Sequence, residues 1–262
     1  MESDQVSEVD SDFEDVEEAD MPERLVKSSE RVRDLGEVFT PAQTVNDMLD
    51  LFPQEVWTVH PSSTFLEPAC GDGNFLVAIL SRKLQAVKDA YSSTALPAGS
   101  SHEAALFHGL EALSSIYAVD ISPDNVIGGT PGHEIGARTR ILRQFWNWAQ
   151  EITGTKLDDS HGVARSAEWI VNHNILIGNM LETNPDGTTS GRNELPLIDY
   201  SWDPANLKLT ISKTTMGAVI EEADENTADM LWGAPEPELY WSGVHLELHS
   251  VESFAVLSYE VS

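Results

Sequence analysis

The chain has 262 residues, 41% of them apolar, with one cysteine and a formal charge of −29. That length supports one good core plus appendages. No apolar run nears the roughly 18 residues of a membrane span, the acidic N-terminus has no apolar signal-peptide core, and the lone Cys70 excludes an internal disulfide and a cysteine-based zinc site, which fits a reducing, cytoplasmic setting.

Residues 1–30 carry twelve Asp or Glu against two Lys or Arg, with few large apolar residues. They read as an acidic disordered tail. The remaining −19 is spread over the body, as a solvated surface or a face for a basic partner. Such a charge disfavours unaided approach to a phosphate backbone, since nucleic-acid affinity rests on Lys and Arg neutralising phosphates.

Order is expected from about residue 31. Val45, Met48, Leu49 and Phe52 recur at helical spacing over Ala42–Phe52, and Pro53 closes the run. Ser63–Ala69 reads as a short buried strand. Asn74–Ala90 is a helix with Phe75, Leu76, Ile79, Leu80 and Leu84 inward. Tyr91–Glu103 reads as a loop from its Ser, Gly and Pro content. Ser115–Ile121 is a second buried strand, Thr139–Ile152 and Val163–His173 are helices, and Asn174–Leu181 is a third strand. The two tryptophans of "QFWNWAQ" (Gln144–Gln150) fall on different helix faces, one in the core and one at its edge. Strands alternating with helices in this way predict an α/β fold with a parallel sheet over residues 31–182.

Beyond Glu182 the pattern changes to a β-rich extension, residues 183–262. Leu197–Ser212 reads as two alternating strands about a Pro-Ala-Asn turn, and Gly243–Val261 alternates like antiparallel strand. His245 and His249 share a strand face about 13 Å apart, too far to share a metal.

"TFLEPACGDGNFLVAIL" (Thr64–Leu80) is a strand that ends in Glu67 and turns through Gly71 and Gly73 into a helix. This is the opening unit of nucleotide-type binding in doubly wound folds, where ligands sit outside the carboxyl ends of the strands. Glycines without a Cβ admit a ligand against their backbone. Asp120 at the end of the second strand is placed to accept both ribose hydroxyls, and Ile121 to pack on a base. The six-residue dinucleotide fingerprint is absent, and Glu67 suits a ligand bearing an ammonium or sulfonium charge. S-adenosylmethionine meets these demands.

At these residues the chain resembles the DNA methyltransferases that modify the exocyclic amine of adenine, including modification subunits of restriction–modification systems. The resemblance runs over about Arg31–Leu181. It rests on "LGEVFTP" (Leu35–Pro41), "FLEPACGDGNFL" (Phe65–Leu76), "IYAVDISPDNV" (Ile116–Val126) and "ILIGNML" (Ile175–Leu181). It implies a class I methyltransferase-like, Rossmann-like sheet. It also implies that Thr40, Glu67, Pro68, Gly71 and Gly73 surround the methionine part, with Asp120 and Ile121 at the adenosine. Asn179 stands where the family usually has an aspartate for the adenine amino group, and an amide oxygen can accept the same hydrogen bond.

The family's Asn/Asp/Ser-Pro-Pro-aromatic tetrad, which accepts the amine's hydrogens and stacks the flipped base, is missing. The weak candidates are Asp203 and Pro204 in "DPAN", which fall at the expected hairpin turn. "NPDG" (Asn184–Gly187) follows the third strand too closely. The later strands of a complete methyltransferase sheet are also missing, as is a basic, aromatic-interleaved recognition stretch. The expected function is therefore an S-adenosylmethionine-binding subunit that methylates adenine in DNA with a partner chain (a specificity, nuclease or catalytic methyltransferase subunit) and meets DNA through the complex. The alternatives are an inactive methyltransferase-like scaffold and an acidic inhibitor that imitates DNA.

Overall fold

The computed structural model describes residues 32–33, 38–57, 63–92, 102–130, 135–158, 161–184, 186–203, 208–222 and 243–247. The acidic segment 1–30 and His249 lie outside them. Three short parallel strands, β1 (Phe65–Glu67), β2 (Ile116–Asp120) and β3 (Ile175–Ile177), form a sheet in that order. The register sets Phe65 opposite Ile116 and Ala118 opposite Ile175. Side chains alternate along a strand, so these four share one face. Ile116, Ala118 and Ile175 are buried there in the main core, with Phe65 packed against it.

The helices are α1 (Ala42–Leu49), α2 (Asn74–Ser92), α3 (His102–Ser114), the single-turn α4 (Pro123–Val126), α5 (Ala137–Thr153) and α6 (Gly162–Asn174). On α2, Leu76, Ile79, Leu80 and Leu84 are buried, and Phe75 is partly buried against the same core. Gly154 stops α5 in the left-handed region at φ 72°, a conformation that suits glycine. Trp148 of α5 is buried and donates its Nε1–H to the Leu84 carbonyl at 3.1 Å, while Trp146 packs partly buried at the core's edge.

Lys83 of α2 has no exposed surface. Its ammonium donates to the Ser63 carbonyl at 2.9 Å and lies 5.1 Å from the centre of the Phe65 ring. Burial holds its pKa down at about 8, against an opposing pull from the Glu111 carboxylate.

The second sheet is antiparallel, with β4 (Pro196–Asp203), β5 (Lys208–Thr215) and β6 (Gly243–Glu247) in that order. Ile198, Leu209 and Ile211 belong to the same buried core as the helices. Polar tips fasten β4 to the α/β layer: Tyr117 donates to the Ile198 carbonyl at 2.6 Å, Tyr200 to Asn174 Oδ1 at 2.8 Å, and the Trp202 indole to Ser114 Oγ at 2.9 Å. Asn174 in turn donates to the Ser114 and Ile116 carbonyls, so this buried amide uses both ends.

Four expectations need correcting. The first helix stops at Leu49, and of its apolar set only Val45 and Leu49 are buried, while Met48 and Phe52 are 48% and 46% exposed. The first strand is three residues long and half-exposed, since no described strand lies beyond it. Tyr91–Glu103 is not a loop throughout: α2 continues to Ser92, α3 begins at His102, and α3 itself went unforeseen. The third strand ends at Ile177. A Cβ at Gly178 would stand 2.6 Å from Leu195, so the chain leaves the sheet where Leu195 packs.

Candidate functional site

Parallel strands aim their carboxyl ends at one edge of the sheet, which brings together most of the residues singled out from sequence. Glu67 ends β1 and Asp120 ends β2. Pro68 is an exposed turn residue. Ile121 follows Asp120 and is 54% exposed, and Ile177, opposite Asp120 on β3, is 40% exposed. Both are exposed apolar residues near the carboxyl end of β2.

The Asp120 carboxylate organises the bend. One oxygen accepts the Gly71 N–H at 2.8 Å; the other accepts the Ser122 N–H at 2.8 Å and the Asn125 amide at 3.0 Å. A carboxylate has about four acceptor positions. Three are taken, and Asp120 is only 7% exposed, so both hydroxyls of a sugar could not be served without displacing a protein donor.

The glycines answer to the protein's own packing. Gly71 has φ 55° and Gly73 φ 98°, where side chains are strained. A Cβ on Gly71 would stand 3.0 Å from the Phe39 ring, and one on Gly73 would stand 3.1 Å from the Ala137 Cβ. The expectation that a ligand lies against these two Cα positions is therefore corrected: Phe39 covers one and the start of α5 covers the other.

Thr40 reaches the site through its backbone, since the Asn74 amide at the head of α2 donates to its carbonyl at 3.0 Å. Asn74 Oδ1 accepts from Arg140 at 2.9 Å, and Arg140 also binds the Asp72 carbonyl at 3.1 Å and the Asp72 carboxylate at 3.0 Å. Arg138 caps the start of β3, its guanidinium donating to the Ile175 carbonyl at 2.7 and 2.9 Å. Phe39, Asn74, Asn125, Arg138 and Arg140 went unpredicted. The available signal was two arginines in the first turn of a helix, where the dipole does not call for positive charge.

Burial raises the pKa of Glu67, opposed by a long hydrogen bond of 3.4 Å from the Ala69 amide. Burial also pushes the Cys70 thiol up, with the Asp120 and Glu67 carboxylates adding to the effect, which disfavours the thiolate.

Comparison with protein-family models, curated proteins and solved structures found no match to this chain.

Asn179 follows β3 but spends its side chain locally. Its oxygen accepts the Leu181 N–H at 2.9 Å and its amide donates to Asn184 at 2.7 Å. Asp203 closes β4 opposite Lys208 at a hairpin end, and Pro204 lies outside the described residues. In "NPDG" Pro185 lies outside the described residues; of the others, the Asn184 N–H bonds the Thr188 carbonyl at 2.7 Å and Asp186 accepts from Thr188. Among the described residues no group of His, Cys, Asp and Glu could hold a metal, and no helix is long and apolar enough to cross a membrane.

Proposed function

We propose that this chain binds S-adenosylmethionine at the carboxyl ends of β1 and β2 on a class I methyltransferase-like core, and serves as a subunit that methylates adenine in DNA together with a second chain. The observation that carries the reading is that Glu67 and Asp120 end neighbouring parallel strands beside one glycine bend, with Asp120 accepting the Gly71 N–H. The donor set fits such a ligand. Asp120 would accept one ribose hydroxyl, the exposed Ile121 and Ile177 would offer apolar surface to a flat base, and half-buried Glu67 offers a carboxylate to a cationic group. The cofactor would supply the sulfonium methyl, and the chain's own residues would hold and orient it. The missing Pro-Pro-aromatic tetrad is why a second chain is part of the proposal.

Calorimetric titration with S-adenosylmethionine tests the binding. Heat that saturates, and is lost in Ile121→Glu at an exposed position, is the expected result; silence at about 1 mM ligand would end the reading. Methyl transfer to DNA by the purified chain alone would overturn the need for a partner.

A second reading, a non-catalytic interaction subunit, draws on the Phe39 ring seated on Gly71 and on the three donors that already occupy Asp120. It predicts a stable complex with a second chain and indifference to the cofactor.

A further inference from the structure

We infer that the open edge of β1, with the apolar groove beside it, is the docking site for an extended segment of a basic partner protein, which adds as a further strand to the parallel sheet. The inference deepens the proposed function by giving its second chain a surface and a chemistry, and it rests on that reading only for the existence of the partner.

The backbone comes first. Phe65 donates its N–H to the Ser115 carbonyl, and past the strand's end Cys70 donates to the Val119 carbonyl. The ladder to β2 thus uses Phe65 and Glu67, and strand alternation turns the N–H and C=O of Leu66 to the opposite edge. Among the described residues no strand pairs with that edge. An unpaired edge is a template for strand addition, with main-chain hydrogen bonds giving affinity and adjacent pockets receiving alternate side chains.

Such pockets are present. A groove of about 560 Å³ runs along the edge, lined chiefly by Met48, Leu51, Phe52, Leu66, Phe75 and Tyr117. Four of these are large apolar side chains left substantially in solvent: Leu51 at 83%, Met48 at 48%, and Phe52 and Leu66 at 46% each. Single exposed apolar residues are ordinary, but a contiguous set along a strand edge marks an interaction surface. The wall is held in place. The Phe52 ring packs edge-on against Trp57 at 6.1 Å and against Phe65 at 5.7 Å, and Trp57 and Phe65 stack at 5.3 Å.

Charge selects the occupant. From residue 38 to residue 57, the stretch that supplies one wall, the chain has three exposed acids (Asp47, Asp50 and Glu55) and no Lys or Arg. The nearby Arg82 is engaged, pairing with Asp50 at 2.7 Å and lying 5.3 Å from the centre of the Trp57 ring. Glu67 closes one end of the groove. A second copy would bring another −29 to an acidic rim. The fitting occupant is a different chain whose segment alternates apolar residues and carries Lys or Arg at its ends.

The test titrates the full chain, without S-adenosylmethionine or DNA, with a short acetylated peptide of alternating valine and threonine ended by lysines, and with the same peptide ended by glutamates. Because no cofactor is present, failure here and failure of the cofactor reading are separable. The lysine-ended peptide should bind, slow hydrogen exchange at the Leu66 amide, and lose about tenfold in affinity against Leu51→Lys, a position exposed enough to leave the fold intact. No binding at about 1 mM, equal binding of the glutamate-ended peptide, or unchanged affinity for Leu51→Lys would overturn the inference. So would a concentration-dependent dimer abolished by Leu51→Lys, which would assign the edge to a second copy.

Discussion

The Asn74 amide donates to the Thr40 carbonyl at 3.0 Å, tying the segment before α1 to the first residue of α2 across 34 positions of sequence. The same side chain accepts from Arg140 on α5. Three elements around the glycine bend therefore share one partly buried amide.

Asn74→Ala removes both hydrogen bonds and leaves the Thr40 carbonyl without its donor. A loss of about 1–3 kcal/mol is expected by urea denaturation. Asn74→Asp keeps the acceptor for Arg140 but turns a carboxylate oxygen on the Thr40 carbonyl, so it should also destabilise despite its favourable charge at a helix N-terminus.

Gly71→Ala is expected to cost about 1–2 kcal/mol for its left-handed backbone alone, plus the contact with Phe39. Phe39→Ala removes only the second part. A double-mutant cycle should give a coupling of about 0.5 kcal/mol or more. Strict additivity would mean that the ring does not rest on Gly71.

Gly109→Ala should destabilise although alanine is the better helix former by about 1 kcal/mol. A Cβ there would stand 2.3 Å from the Trp148 ring, an overlap that costs about 1–3 kcal/mol once neighbours shift. A lower thermal midpoint for the alanine variant is the expected readout, and a higher one would refute the packing.

Lys83 gives a pH-dependent prediction. Its folded pKa, about 8, lies below that of an unfolded lysine, near 10.4. The folded state thus releases this proton first. Lys83 contributes least below pH 8, where it is charged in both states and its desolvation cost is complete, and gains up to about pH 10.4. The stability of the parent relative to Lys83→Met should therefore rise with pH across that window. A flat or falling difference in urea midpoints would show that the ammonium is not desolvated. Lys83→Ala should lose about 2–4 kcal/mol at neutral pH, from the space left behind.

The order of strands and the acids that end them were legible because period-two apolar runs closing on Glu67 and Asp120 require only local pattern. Helix α3 was not legible. Every residue from Ala105 to Leu110 is buried, so no polar stripe marks a helical period in "HEAALFHGLEALS". The length of β1 was overread because burial on one edge depends on a neighbour that a single sequence does not name. The glycine bend was read as open to a ligand, and the ring that covers Gly71 comes from position 39, a tertiary contact that no local spacing encodes. Asn179 was singled out by its place after the third strand, yet its side chain is spent on Leu181 and Asn184, a competition set by the turn that follows.

The three aromatic tips that anchor β4 also decide where the polypeptide can be cut. Tyr200 and Trp202 complete the hydrogen bonding of Asn174 and Ser114, and Ile198 with Leu209 and Ile211 closes the oily interior. A product ended after residue 182 would leave a greasy scar, with one amide oxygen and one hydroxyl thirsty where the hairpin had been. The first 180-odd residues are consequently a poor candidate for separate expression, and the hairpin travels with the body it seals.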